Sequence, residues 1–383
     1  METLTPSSPI VSQLLSLVRA SLWQTTADPQ LFTAGTTDWE TIGTLALRQT
    51  VAILAIEGAT TLPADRQPDK AWLRTACSYS LRNVRTHALL DSCVAEATAL
   101  LQSAGLAPVL LKGQAYARHY PRPELRQCGD IDLYVGEDGY RHASEAAQRF
   151  GWESVEPFIP AAKHYGCCLH GIRIELHRTA ALLPFPIANR RFQAWSHRQL
   201  SSALGHVKIG DRDIATPSPL FDIIFVFLHL HHHFVSSGIG LRHLCDWALL
   251  LHAHHKRIDQ QELQRLLRSF HLLRAWRSFA PIAVRYLGLP EAECPLYSAK
   301  YAKKSDKLLA VILREGNFGH YSPRLSKKPR PYLLRKLHSL AFHSRRTFSL
   351  FPLEPATFTA HYCRCLYGGL RKVLKELTTK KQR

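Results

Sequence analysis

The sequence predicts an α+β protein, with a small mixed β-sheet core flanked by N-terminal helices and a C-terminal helical domain. Three observations carry that class. Apolar residues recur at helical spacing through the first hundred residues. Helical spacing returns after Pro217-Ser218-Pro219. Between these blocks lie short apolar or alternating runs bounded by Gly and Pro, the pattern of strands. The expected division is a helical cap over 1–104, the sheet core over 105–215 and a helical, basic domain over 216–383.

In the cap, Val11, Leu14, Leu15, Leu17 and Val18 form one apolar stripe. Helical pattern resumes over Trp39–Glu57, and a long helix is expected from about Lys70 to Ser103. Pro63-Ala64-Asp65-Arg66-Gln67-Pro68 separates the two.

The core opens with Ala107-Pro108-Val109-Leu110-Leu111, a short buried strand, and Lys112-Gly113 leads into a helix over 114–120. A strand–Gly–helix junction presents backbone N–H groups and a helix dipole to an anion. Lys112 adds a charge there, although an ordinary strand-to-helix turn fits the same residues. A proline-marked loop then carries Arg126, four residues before Asp130. Arg126 is read either as a cation for a triphosphate or as a structural partner of the aspartates.

Gly129-Asp130-Ile131-Asp132-Leu133-Tyr134-Val135 reads as a strand. Side chains alternate, so Asp130 and Asp132 share one face and Ile131, Leu133 and Val135 the other. Two close carboxylates repel unless a cation lies between them, and Mg²⁺ takes one or two carboxylates with substrate phosphates. Glu137-Asp138 open a helix to about Phe150, with Ala143, Ala146, Ala147 and Phe150 as its stripe. Two further strands, Tyr165–His170 and Ile172–His177, join tightly at His170-Gly171. In the second, Arg173, Glu175 and His177 face away from Ile172, Ile174 and Leu176. If it neighbours the Asp strand, Glu175 becomes a third carboxylate.

The C-terminal block holds a helix over Leu220–Phe234 that carries His229, His231, His232 and His233. His229 and His233 share a face, as zinc ligands do, without a HExxH motif or a clear third ligand. Arg242 and Asp246, four apart, are placed to pair with each other. Asp259 reads as the N-cap of a helix through Phe270, and Trp276–Leu287 as another. From Leu308 onward the pattern is basic helices broken by Pro323, Pro329, Pro331, Pro352 and Pro355. Residues 378–383 read as a disordered basic tail.

Lys and Arg outnumber Asp and Glu by 49 to 30, a net charge of +19 concentrated late in the chain. Such a field suits polyanions, RNA or an anionic membrane surface, and solvated basic helices fit it as well. Nine cysteines show no ligand spacing, and no secretory signal is read, so reduced thiols and a cytoplasmic location are expected. The most apolar run, Phe221–Leu228, is too short to cross a membrane. Peripheral docking at the inner membrane surface is the one membrane association the charge supports.

The series Leu111-Lys112-Gly113, Tyr120-Pro121, Arg126, Gly129-Asp130-Ile131-Asp132 and Ile174-Glu175-Leu176-His177 resembles the uncharacterised nucleotidyltransferase family of bacteria. That family is a branch of the polymerase-beta-like nucleotidyltransferase superfamily. The His-rich helix and the following Arg-x-x-x-Asp helix extend the resemblance to about residue 290. It implies Mg²⁺-dependent (or Mn²⁺-dependent) transfer of a nucleotidyl group from an NTP such as ATP, with release of pyrophosphate. It carries Asp130 and Asp132 to metal-ligand positions and Glu175 to the third carboxylate. Lys112, Gly113 and Arg126 are then the nucleotide-binding residues, and His177, His233, Arg242 and Asp246 the candidate acceptor cleft. Many superfamily members have Gly-Ser where this chain has Lys112-Gly113, which leaves its triphosphate contacts open. The acceptor hydroxyl, on a sugar phosphate, a protein or RNA, is not named by the sequence. The alternative is a non-catalytic scaffold of this kind that binds RNA or another anionic partner through the basic C-terminal region. A toxin that nucleotidylates tRNA or protein is a third reading.

Overall fold

The computed structural model describes residues 4–319 and 332–380. Pro323, Pro329 and Pro331 lie outside them, as do residues 381–383.

The N-terminal stripe folds as α1 (Pro9–Trp23), with Val11, Leu14, Leu15, Leu17 and Val18 all buried. The single helix expected over 39–57 is two, α2 (Trp39–Arg48) and α3 (Ala52–Ala59). The break has a cause. Buried Gln49 donates from Nε2 to the carbonyls of Ile312 and Leu313, 3.2 and 3.0 Å away, and accepts from Leu241 N at 3.2 Å. Those long-range bonds hold the chain at a non-helical turn. The expected long helix is α4 (Lys70–Ser103), capped by Asp69, which accepts from Trp72 N at 2.7 Å.

The core elements are β1 (Val109–Leu110), α5 (Gln114–Ala117), β2 (Ile131–Tyr134), α6 (Gly136–Arg149), β3 (Glu153–Ser154), β4 (His164–Leu169) and β5 (Ile172–His177). They form a five-stranded mixed sheet in the order β1-β2-β5-β4-β3, in which β2 and β5 are parallel and the other pairs antiparallel. The crossover from β2 to β5 includes α6, which packs on β5. Ile131, Leu133, Ile174 and Leu176 bury the core face of the two parallel strands. Phe150, expected in the α6 stripe, is instead exposed at the helix end.

After α7 (Pro186–Ser202), the strands β6 (Leu204–Ile209) and β7 (Arg212–Pro217) make a separate hairpin. The helices α8 (Pro219–Ser236), α9 (Leu241–His254), α10 (Gln260–Ser269), α11 (Leu273–Arg285) and α12 (Ala302–Glu315) follow. Asp259 caps α10, accepting from Gln261 N and Glu262 N. The last helices are α13 (Tyr332–Leu350) and α14 (Pro355–Lys380). The tail expected over 378–383 is therefore helical through Lys380. No helix among the described residues is long and apolar enough to cross a membrane.

Candidate active site

The site is built by strand register. Asp132 on β2 pairs with Glu175 on the parallel strand β5, and Asp130 sits two residues back on the same face. Carboxylate oxygens of Asp130, Asp132 and Glu175 lie within 4.8 Å of one another. The conditional third carboxylate is thus beside the aspartates.

Lys112 follows β1 and reaches this cluster. Its Nζ lies 3.0 Å from Asp132 Oδ2 and 3.5 Å from Asp130 Oδ2. Burial alone would depress the Lys112 ammonium, but Asp132 and Asp130 outweigh it and its pKa is raised. Burial likewise opposes the Asp132 charge, yet Lys112 and His177 hold its pKa well below the ordinary value. His177 Nε2 is 2.8 Å from Asp132 Oδ1, which can only accept, so Nε2 carries the proton. His177 Nε2 also approaches Glu175 Oε2 at 3.4 Å, and His164 Nδ1 approaches the same oxygen at 3.3 Å. Burial opposes the Glu175 charge too, but the His177 hydrogen bond and both imidazoles bring it down to about 2. Arg173 lies across Glu175 and Glu156.

Gly113 has φ +71°, a conformation that L side chains resist, and a Cβ there would come 3.2 Å from Asp130 O. The glycine lets β1 turn tightly beside the aspartates. The helix expected to follow it is a single turn, α5, too short to present a developed dipole to a phosphate.

Arg126 is not aimed at this cluster. It is buried and forks onto Asp246, Nε to Oδ1 at 2.8 Å and Nη2 to Oδ2 at 2.9 Å, and Tyr120 Oη donates to the same carboxylate at 2.7 Å. Neither sequence reading of Arg126 anticipated this partner. It also corrects the expected Arg242–Asp246 pair, because Arg242 Nη1 instead donates to Gln127 O at 2.6 Å. Asp246 and His177 are buried behind the cleft wall rather than lining it.

The cleft above the carboxylates has a volume of about 940 Å³. His233 and Arg242 line it, as expected, and so do His229 and His232. The His229 and His233 rings are 4.5 Å apart, with His243 about 6 Å from each. Burial makes these imidazoles neutral, with His233 down to about 3 and His232 to about 4. Among the described residues, the groups of three or more close metal-ligating side chains are Asp130–Asp132–Glu175 and His164–Glu175–His177, so His229 and His233 gather no third ligand.

Lys163 and His164 were missed by the sequence reading, although both line the cleft. A signal existed. A two-residue turn at 170–171 fixes the β4–β5 register and puts His164 opposite His177.

The model of the family described as uncharacterised nucleotidyltransferase matches residues 35–288. No curated protein matches the chain. Among solved structures, the chain is similar to an antigenic nucleotidyltransferase-like protein from Paracoccidioides brasiliensis, at 15% identity and a TM-score of 0.32. That likeness covers 51% of this chain and 92% of the other.

Proposed function

The chain belongs to the uncharacterised nucleotidyltransferase family, and from that premise we propose that it transfers a nucleotidyl group from an NTP to an acceptor hydroxyl with release of pyrophosphate. The observation that carries this is the β2–β5 register, which gathers three carboxylates in the lining of a large cleft. Asp130, Asp132 and Glu175 would hold a divalent cation, Mg²⁺ or Mn²⁺. Their all-oxygen donor set suits a hard cation. Asp132 Oδ2, buried and paired only with the Lys112 ammonium at 3.0 Å, has a second lone pair to offer it. Once bound, such a cation neutralises triphosphate charge and makes the attacking hydroxyl more acidic.

The chain's own residues bind and orient. Glu175, held ionised, accepts the hydrogen bond of the acceptor hydroxyl. The hydroxyl oxygen forms a bond to the α-phosphorus while the bond from that phosphorus to the bridging oxygen breaks, and pyrophosphate leaves with the electron pair. The proton leaves past Glu175 towards the neutral His164, 3.3 Å away. His177 fixes Asp132, and Lys112 neutralises the aspartates. On this reading 105–215 supplies the chemistry, 216–383 closes over it and 1–104 is a cap. The cationic cleft lining favours an anionic acceptor, a sugar phosphate being the simplest.

Calorimetric titration of ATP, GTP, CTP and UTP with Mg²⁺ or Mn²⁺ tests the reading on wild type and on Asp130→Asn/Asp132→Asn. Metal-dependent binding lost in the double variant supports it. Absence of binding by every NTP with either metal overturns it and leaves the anionic-scaffold alternative.

A further inference from the structure

Among the described residues, five Lys and Arg side chains line the cleft, and four have identifiable partners. Lys112 pairs with Asp130 and Asp132, and Arg173 with Glu156 and Glu175. Arg242 donates to Gln127 O and Arg364 to Leu183 O, 2.6 and 2.8 Å away. Lys163 makes no side-chain hydrogen bond or ion pair among the described residues.

Its position is well defined. Lys163 stands one residue before β4, and its carbonyl accepts from Arg178 N at 2.9 Å, continuing the β4–β5 ladder. Arg178 Nε also donates to the neighbouring carbonyl of Ala162 at 3.0 Å. The backbone that launches the side chain is therefore tied to the end of β5.

The charges around Lys163 act on its ammonium in opposite senses. Burial depresses it, Lys112 adds to that, and the three carboxylates Asp132, Glu175 and Asp130 oppose it. In turn its charge helps to depress His229, His232 and His233 across the cleft. Lys163 lines the same cleft as Asp130, Asp132 and Glu175 and as His229, His232 and His233. A partly desolvated ammonium without a counter-ion is unfavourable, and an anionic ligand relieves it. A triphosphate whose α-phosphorus sits at the carboxylates has its other phosphoryl groups within the same cleft, which Lys163 lines. Arg126, the sequence's candidate for this task, is held by Asp246.

We propose that Lys163 is the cation that binds the β- and γ-phosphoryl oxygens of the NTP, an assignment that rests on the nucleotidyl-transfer reading above. Lys112 is then chiefly the counter-charge of the aspartates, and Lys163 the receiver of the leaving group.

The experiment is calorimetry on the full chain with Mg²⁺, using the four NTPs and their matching monophosphates against wild type, Lys163→Met and Lys163→Arg. Loss of one charge-assisted contact predicts NTP binding weakened about ten- to hundredfold in Lys163→Met. Monophosphate binding should hold, and Lys163→Arg should recover most of the NTP affinity. Wild-type NTP affinity in Lys163→Met overturns the assignment and leaves the nucleotide site standing. Equal losses for NTP and monophosphate overturn it too, because the residue then acts on the site as a whole. If wild type binds no NTP, the nucleotidyl-transfer reading fails and takes this assignment with it.

Discussion

Arg126 and Asp246 meet as a buried fork, 2.8 and 2.9 Å, across 120 residues of sequence. The pair ties the loop before β2 to α9. Removing one partner of a buried ion pair costs about 3–5 kcal/mol. Arg126→Ala should therefore lower stability on that scale in urea denaturation, rather than selectively weakening NTP binding. The pair also sets a pH dependence. Burial opposes the Asp246 charge, but Arg126 outweighs it and lowers the pKa below its ordinary 3.8. A depressed carboxylate stabilises the fold above its unfolded value and loses that contribution as pH falls through the folded one. Acid unfolding should accordingly steepen below about pH 4 in wild type and flatten in Asp246→Asn.

The two aspartates should differ in what their removal does to the fold. Asp130 is 43% exposed, whereas Asp132 is buried between Lys112 and His177. Asp130→Asn should leave the melting temperature close to wild type. Asp132→Asn should cost about 1–3 kcal/mol, because it weakens a buried charge-assisted network. Both should lose metal-dependent NTP binding. Paired thermal melts and titrations separate the two effects.

Lys112 competes with any cation for the same oxygens. Deleting its charge in Lys112→Met should tighten Mn²⁺ binding in the absence of nucleotide by about tenfold or more. Electron paramagnetic resonance titration of free Mn²⁺ reads this directly. Weaker Mn²⁺ binding in the variant would mean that Lys112 shapes the site rather than opposing the ion.

His229 and His233 are held neutral chiefly by burial. Their unfolded counterparts protonate near pH 6.5, so stability is fully present above that value and falls as pH drops. His229 and His233 each remove about 1.4 kcal/mol of stability per pH unit below 6.5 until the folded pKa is reached. Nuclear magnetic resonance of imidazole C–H shifts should show neither of the two titrating between pH 5 and 8. Denaturation midpoints should fall over the lower part of that range, and less in His233→Phe.

Much of this was legible locally. The apolar periods of α1 and α4, the Asp259 cap and the β4–β5 hairpin depend on neighbours in sequence, and each appears where the pattern puts it. The turn residues His170 and Gly171 have φ of +52° and +76°, the twist that closes a two-residue hairpin. Counting outward from them would have put His164 opposite His177 and drawn attention to Lys163 beside it. What failed was partner choice over distance. Arg242 and Asp246 have the spacing of a helical ion pair, yet the buried carboxylate takes a two-toothed partner from another element. The same physics broke the helix expected over 39–57, where Gln49 serves carbonyls more than 260 residues away. Local propensity cannot report such bonds.

β5 has a strand on each side, and Glu175 rides in its middle. Asp130, by contrast, precedes the first residue of β2 and stands half in solvent. The acidic triad is therefore stiff on one flank and compliant on the other. Amide exchange at Glu175 must await opening of the sheet, while Asp130 adjusts without disturbing a ladder. Ligands of different size would then be met by a fixed pair of carboxylates and one that follows them.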